Sequence, residues 1–142
     1  MIELKTATAE DLPFILEMDG EIKRGELERI LETARYFVIA QNGWPVGVLR
    51  YGLFWDKIPF LNLIKIKEHA RNKGAGREAM ALWEEKMKRL GHNIVLTSSQ
   101  ADETAQHFYR KIGYRDAGEL RFLGITGQQE APELFFIKKL EL

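Results

Sequence analysis

The sequence predicts one mixed α/β (α+β) domain, in which a central twisted sheet of about seven strands carries about four helices on its faces. Stretches with strand-like alternation and stretches with helical spacing interleave along all 142 residues. Their order is β-α-α-β-β-β-α-β-α-β-β. The chain contains no internal repeat, low-complexity segment or linker, so we expect residues 1–142 to form a single domain.

The first part of the chain predicts a strand and two helices. Residues 2–7 (IELKTA) alternate between apolar and polar side chains, which is typical of a strand. Residues 8–20 (TAEDLPFILEMDG) have apolar side chains at helical spacing, and Thr8 with Asp11 resembles an N-terminal capping pair. A weaker helical pattern follows over residues 25–34.

The middle of the chain predicts three strands and the longest helix. Two runs rich in β-branched and aromatic residues flank Asn42 and Gly43 within residues 36–55, which indicates a hairpin. Residues 59–66 (PFLNLIKI) are apolar enough for a central strand. A helix is expected from Gly76 to about residue 90.

The last part of the chain predicts a short buried strand, a helix and two final strands. The short strand covers residues 93–99 and the helix covers residues 102–114. We expect the long helix to connect two parallel strands as a right-handed crossover. The final strands are predicted over residues 120–126 and 133–140, around a loop that contains Gly127.

The composition is that of an ordinary globular protein and excludes several function classes. Lys plus Arg and Asp plus Glu balance at 21 each, which argues against binding nucleic acid or an anionic membrane through bulk charge. The chain has no Cys, so it cannot use a thiolate nucleophile, a disulfide or a Cys-ligated metal. Without a visible signal peptide or a long apolar run, a cytoplasmic location is expected.

The segment EHARNKGAGREAM at residues 68–80 places three cations around two glycines at a helix start. Unpaired N–H groups, the helix dipole and closely approachable glycine backbone make such a start a site for a pyrophosphate. A turn with solvated cations is the alternative explanation. Two known phosphate loops are excluded, because Gly76 is not followed by Lys and Ser or Thr and a third spaced glycine is lacking.

Two motifs carry a resemblance to a known family. Residues 71–76 (RNKGAG) match the pattern R/Q-x-x-G-x-G/A, and residues 105–114 (AQHFYRKIGY) match A-x-x-F/L-Y-x-K-x-G-F/Y. Together, in this order and with these elements around them, they resemble the GNAT superfamily of acetyl-CoA-dependent N-acetyltransferases. The resemblance covers essentially the whole chain and implies the GNAT-like fold and acetyl-CoA as co-substrate.

The resemblance also implies roles for individual residues. The strand before the loop should diverge from its parallel neighbour and pair with the pantetheine arm, while the loop binds the pyrophosphate. Cofactor contact is thereby expected at Ile64, Lys65, Ile66, Arg71, Asn72, Lys73, Gly74, Ala75, Gly76, Arg77 and Asp102. Tyr109 is expected to protonate the departing thiolate as a general acid, with packing on the core face as the alternative.

This sequence departs from the family pattern at two positions. Asp102 stands where the family often has an Asn that contacts pantetheine, so its role is either cofactor contact or capping of the helix. Thr97 stands where some members carry a catalytic Glu, and a Thr hydroxyl cannot act as a general base. The base is therefore open between an ordered water relay and the side chains of Glu21, Asp56, Glu68 and His69.

The expected partner is an amine acceptor, either a small molecule or a peptide, with no nucleic acid, no membrane and no metal. Tyr51, Phe54, Trp55 and Asp56 suggest an aromatic wall with a carboxylate for a cationic amine, or a plain edge of the core. Oligomeric state is open between a monomer and a homodimer. A non-catalytic acyl-CoA-binding or sensor module is the main alternative function, and a nucleic-acid-binding domain that uses the basic loop is a third.

Overall fold

The computed structural model describes residues 1–125 and 131–141, which contain a seven-stranded sheet with helices on both faces. The strands are β1 (Ile2–Thr6), β2 (Tyr36–Gln41), β3 (Trp44–Phe54), β4 (Ile58–Ile66), β5 (Ile94–Gln100), β6 (Arg115–Leu120) and β7 (Glu133–Lys139). The helices are α1 (Leu12–Met18), α2 (Arg24–Glu32), α3 (Ala75–Arg89) and α4 (Ala105–Lys111). The order of elements is the predicted one. Within these ranges no helix has the length and apolar content needed to cross a bilayer.

The strands lie in the order β1-β2-β3-β4-β5-β7-β6. Neighbouring strands pair antiparallel except β4 and β5, which are parallel and are connected through α3. The predicted parallel crossover is thus confirmed. The sheet consists of an antiparallel half from β1 to β4 and a second antiparallel half of β5, β7 and β6, and the parallel pair is the seam between them.

Two local sequence signals have the predicted geometry. The Asp11 carboxylate accepts from the Thr8 N–H over 2.9 Å, and the Thr8 hydroxyl accepts from the Glu10 N–H, so the capping pair starts a short 3-10 turn that leads into α1. Asn42 and Gly43 have φ angles of 52° and 86°, the left-handed values that a tight two-residue hairpin turn requires.

The predicted strand over residues 120–126 is wrong. The strand lies earlier, at Arg115–Leu120, and its six residues are all exposed, so it shows no alternation that sequence could reveal. Leu123 and Ile125, whose apolar character suggested a strand, are 80% and 84% exposed in the turn that follows it. Thr126 and the predicted loop residue Gly127 lie outside the described residues.

Asp102 does not cap α4, so capping, one of the two roles that the sequence left open for this residue, is wrong. Thr104 occupies the N-cap position, and the helix begins at Ala105 without a side-chain cap among the residues described. Asp102 lies in a turn closed by the Glu103 N–H, which donates to the Gln100 carbonyl over 3.1 Å. The turn contains the three residues that follow β5, and α4 begins only after this turn.

Each face of the sheet has its own core. On one face, α3 and α4 bury a cluster that includes Phe37, Leu49, Leu61, Ala79, Met80, Trp83, Met87, Val95, Tyr109 and Phe136. On the other face, α1 and α2 bury Ile15, Met18, Leu27, Tyr36, Val38 and Val48. We call these the α3–α4 face and the α1–α2 face.

A buried ionic cluster ties α1 to the sheet. The Asp19 carboxylate, at the end of α1, accepts from Arg50 Nε and from the Tyr36 hydroxyl, each over 2.8 Å. Burial works to raise the pKa of Asp19, but the hydrogen bonds from Arg50 and Tyr36 outweigh it and hold that pKa below its usual range. Asp19 therefore stays charged and paired in the folded state.

Replacing Asp19→Asn should destabilise the fold by about 3 kcal/mol, because it leaves the largely buried Arg50 guanidinium without its counter-charge. The control is Glu26→Gln, which breaks an exposed pair with Arg29 and should cost about 0.5 kcal/mol or less. Urea denaturation at pH 7 measures both. Since folding lowers the pKa of Asp19, its contribution is present above the unfolded value of about 3.9 and is lost as pH falls through the folded value. Equal losses in the two variants would contradict a stabilising role for the cluster.

Candidate active site

The central feature of the site is the divergence of β4 from β5. Across the full length of both strands, the parallel pairing comprises only Phe60 with Leu96 and Leu61 with Thr97. Beyond this point β4 continues to Ile66 against β3, while β5 continues to Gln100 against β7. The two strands therefore separate, and we call the opening the β4–β5 gap.

The end of β4 presents backbone groups to this gap. The Lys67 N–H donates to the Val46 carbonyl over 2.7 Å, which fixes the alternation of bonded pairs along the β3–β4 ladder. By that alternation Lys65 bonds to β3, whereas the main-chain groups of Ile64 and Ile66 point away from β3. Arg71 Nε confirms the direction by donating to the Ile66 carbonyl over 2.8 Å.

The loop between β4 and α3 has the backbone geometry of an anion site. Asn72 and Gly74 have left-handed φ angles of 62° and 87°, and Gly74 is the N-cap of α3. Gly74 has no side chain with which to cap the helix, and the first helical hydrogen bond runs from the Glu78 N–H to the Gly74 carbonyl. The N–H groups at the first turn of this 15-residue helix are thus directed outward at its positive end.

The gap and the loop open into one cleft of about 640 Å³ on the α3–α4 face. Its walls include these residues predicted from sequence: Ile64, Lys65, Ile66, Arg71, Asn72, Gly74, Gly76, Arg77 and Tyr109. They also include residues that sequence reasoning missed: Glu103, Ala105, Phe108, Lys111 and Ile112. These residues come from the turn before α4, from α4 itself and from its C-cap, and the helical spacing around Tyr109 was the available signal.

Three predicted residues are not part of the cleft wall. Ala75 is buried in the α3–α4 core, so only its main chain is near the loop. Lys73 is exposed on the loop, and Asp102 is exposed in the turn after β5. Glu103, the residue after Asp102, takes the place in the wall that sequence had suggested for Asp102.

Tyr109 is buried at the inner end of the cleft. Its side chain is 6% exposed and packs against the rings of Phe108, Tyr114 and Phe136, with centroids 5.5 to 5.8 Å away. Burial raises the pKa of its phenol above 10, and a side-chain hydrogen bond with Thr97 works in the opposite direction. The nearby carboxylates of Glu103 and Glu133 raise that pKa further. The phenol therefore carries its proton at neutral pH.

Thr97 marks the point at which the two strands separate. Its hydroxyl donates to the Leu61 carbonyl over 3.1 Å. The residue thus connects the last paired position of β4 with the strand β5. Its hydroxyl positions neighbouring groups and has no capacity to take up a proton as a base.

The aromatic side chains on the α1–α2 face differ from those expected from the sequence. Tyr51 is buried on the α3–α4 face between Phe37 and Trp83, so its predicted place in an acceptor wall with Phe54 is wrong. Instead, the rings of Phe60 and Phe135, both half-buried, meet edge to face at 5.8 Å. Phe54 lies 6.5 Å from Phe60.

The base candidates suggested from sequence are dispersed over the surface. Glu21, Asp56, Glu68 and His69 are all described and exposed, and none lines the cleft. Glu133, which sequence reasoning missed, lies at the start of β7 and accepts from Ser98 Oγ over 2.6 Å. The part of the chain with assigned structure contains no group of three or more His, Cys, Asp or Glu side chains that could hold a metal.

Comparison with protein families gives one match over most of the chain. Residues 3–114 match the model of the family described as the Acetyltransferase (GNAT) family. A comparison with curated protein sequences finds no match.

Solved structures with the same fold cover nearly the whole chain. Ard1 from Thermoplasma volcanium has a TM-score of 0.83 at 13% identity, with 99% of each chain covered. Ribosomal-protein-alanine N-acetyltransferase from Brucella melitensis has a TM-score of 0.80 at 21% identity, also with 99% of each chain covered. A GNAT family acetyltransferase from Elizabethkingia anophelis with acetyl-CoA bound has a TM-score of 0.76 at 16% identity, covering 99% of this chain and 97% of its own. At these identities the likeness establishes a shared fold.

Proposed function

Because the chain belongs to the GNAT family of acetyltransferases, we propose that it transfers an acetyl group from acetyl-CoA to the primary amine of an acceptor by direct attack, with Tyr109 as general acid. The observation that carries this proposal is the buried, protonated phenol of Tyr109 at the inner end of the cleft. Acetyl-CoA supplies the activated acetyl group as a thioester. The acceptor comes from the amine class, since the similar structure from Brucella melitensis is named as an N-acetyltransferase.

The residues of the cleft fit acetyl-CoA in both shape and chemistry. The outward N–H groups at the start of α3, together with Arg71 and Arg77, suit the pyrophosphate. The main-chain groups of Ile64 and Ile66 can pair with the amides of a pantetheine arm in the β4–β5 gap, as a neighbouring strand would. Lys73, exposed on the same loop, is placed to contact the 3′-phosphate from outside.

Tyr109 can serve the reaction because its proton is held where the sulfur would leave. A thiolate is a poor leaving group without a proton donor, and a phenol of raised pKa keeps its proton throughout the neutral range. The raised pKa also means that activity should not fall through ionisation of Tyr109 until pH exceeds 10, its ordinary pKa. Any fall in activity below that pH would come from another group.

A non-catalytic acyl-CoA-binding or sensor module is the second candidate, and Thr97 is the observation that favours it. This position offers no base, in contrast to the family members with Glu there. The two candidates share acetyl-CoA binding and differ only in turnover.

Calorimetry with acetyl-CoA tests the binding. Release of free CoA over a panel that includes an alanine-starting peptide, polyamines and phenethylamine tests the transfer. Absence of CoA binding at millimolar concentration would exclude both candidates.

Gly76→Ala should weaken acetyl-CoA binding while leaving the fold at least as stable. An added Cβ would contact Phe108 at 3.6 Å and Ile66 at 3.9 Å, so it fits the protein but projects between two side chains of the cleft wall. We expect a loss of about tenfold or more in affinity, ~1.4 kcal/mol. The removed backbone freedom should increase the free energy of unfolding by up to about 1 kcal/mol.

Gly25→Ala is the matched control, because Gly25 is also the second residue of a helix and has open space around it. It should change stability in the same direction and leave binding unchanged.

Gly74→Ala should instead destabilise the fold by about 1–2 kcal/mol, since Gly74 has a left-handed φ of 87°. Calorimetry and thermal unfolding give both quantities, and unchanged affinity in Gly76→Ala would mean that this glycine serves packing alone.

Tyr109→Phe should lower kcat by about 10²–10⁴-fold with little change in acetyl-CoA affinity. The ring still packs against Phe108 and Phe136, and only the proton donor is lost. The loss should shrink for acyl donors with a more acidic leaving thiol, which need less protonation.

Tyr114→Phe is the control from the same motif. Its hydroxyl donates to Glu84 Oε2 over 2.9 Å inside the core, so removal should lower stability by about 1.5–3 kcal/mol and leave kcat unchanged. Steady-state rates, calorimetry and thermal unfolding separate the effects. Full activity in Tyr109→Phe, or a loss that appears only as weaker acetyl-CoA binding, would reject the acid role.

A further inference from the structure

The two sides of the β4–β5 gap carry different chemistry. Side chains along β5 alternate between the faces of the sheet, and Thr97 pairs in register with Phe136, whose side chain is buried on the α3–α4 face. Ser98 therefore lies on the α1–α2 face. Because Ser98 Oγ donates to Glu133 Oε2 over 2.6 Å, the Glu133 carboxylate lies on that face as well.

Glu133 also lies near the point at which the strands separate. Its hydrogen-bond donor Ser98 directly follows Thr97, the last residue of β5 that pairs with β4. A carbonyl carbon held in the gap would have Tyr109 on one side and Glu133 on the other.

We propose that Glu133 is the general base of the acetyl transfer and that the acceptor amine binds beside it, against Phe60 and Phe135. This rests on the proposed function, since a base is needed only if an amine attacks the thioester. Glu133 takes one proton from the ammonium group, which frees the lone pair of the nitrogen, and the nitrogen then bonds to the carbonyl carbon. The carbon–sulfur bond breaks with its electron pair on sulfur, and Tyr109 gives its proton to that sulfur. The nitrogen releases its second proton to water, the products are an N-acetyl amide and CoA, and proton exchange with water restores Glu133 and Tyr109.

Two other carboxylates among the described residues, Glu103 and Asp56, are less suitably placed than Glu133. Glu103, which also acts on the phenol, lines the cleft on the α3–α4 face, where the leaving sulfur and not the amine would lie. Asp56 is exposed in the turn between β3 and β4, away from the gap. Glu133 is half-buried, and the hydrogen bond from Ser98 fixes the orientation of its carboxylate. Glu133 thus lies beside the gap, is partly exposed, and has a carboxylate of defined orientation.

The surroundings of Glu133 indicate the class of acceptor. Phe60 and Phe135 form an edge-to-face pair on the same face, and Phe54 extends this aromatic surface along β3. A carboxylate next to aromatic faces attracts an ammonium group and excludes an anion. We therefore expect a primary amine that is cationic in solution and carries an apolar group close to the nitrogen, for which phenethylamine is the probe.

The test compares Glu133→Gln with Glu119→Gln, a glutamate on the neighbouring strand β6 that is exposed and paired with Arg121. Each full-length variant is assayed with phenethylamine and with the most active amine of the panel. Glu133→Gln should lower kcat by about 10²–10⁴-fold with acetyl-CoA affinity unchanged, and Glu119→Gln should behave as wild type. The loss should be smaller with 2,2,2-trifluoroethylamine, because this amine is neutral at pH 7 and needs no deprotonation before attack.

Ser98→Ala gives a second, milder variant that keeps the carboxylate but removes its hydrogen bond, and it should show a smaller loss of kcat. Phe135→Leu should raise KM for phenethylamine and leave the acetyl-CoA affinity unchanged.

The proposal is overturned if Glu133→Gln keeps its kcat, if it only raises KM, or if its loss of kcat is matched by a loss of acetyl-CoA affinity. It is also overturned if Phe135→Leu leaves KM unchanged. A wild-type protein that binds acetyl-CoA but acetylates no amine would instead refute the proposed function itself.

Discussion

The divergence of β4 from β5 is the constraint on which the rest of the structure depends. A parallel pair of this length could form several more ladder bonds, yet pairing ends at Leu61 and Thr97. The sheet survives because each strand has a full antiparallel partner on its other side. At the position where pairing stops, the Thr97 hydroxyl donates to the Leu61 carbonyl and so links the two strands just before they separate.

A sheet divided in this way needs other contacts to hold its halves together. Glu84 on α3, which packs on the β1–β4 half, forms an ion pair with Lys138 on β7 over 2.8 Å. Lys138 also donates to the Ile112 carbonyl at the end of α4 over 2.7 Å, and Tyr114 donates to the same Glu84. This cluster connects both half-sheets with the helix that carries Tyr109. On the other face, Asp19 and Arg50 connect the end of α1 to β3 within the β1–β4 half.

The capping pair and the hairpin turn could be predicted from the sequence because both are local. Thr8, Asp11, Asn42 and Gly43 act within a few residues of themselves, so spacing alone revealed their geometry. Tyr51 was misassigned for a simple reason: it is three residues from Phe54, and an odd spacing along a strand places two side chains on opposite faces.

Glu133 could not be found from sequence, because its role depends on which strand lies beside β5. The chain passes from β5 through α4 to β6 before it returns as β7, and only the pairing of β7 with β5 brings Glu133 to Ser98. The edge strand β6 was predicted at the wrong residues for a different reason. It is exposed along its whole length, so no buried face imposed a pattern on its residues.

The two faces of the sheet near the β4–β5 gap are built from different parts of the chain. The cleft wall comes from two segments, residues 64–77 and residues 103–112, the second of which carries Tyr109. The opposite face draws Phe60, Ser98 and Phe135 from three different strands. Side chains of adjacent residues on a strand point to opposite faces, so Phe135 lies on the α1–α2 face while Phe136 is buried in the α3–α4 core. Under the proposed function, substitutions on the α1–α2 face would therefore change amine binding without disturbing the backbone of the cleft on the other face.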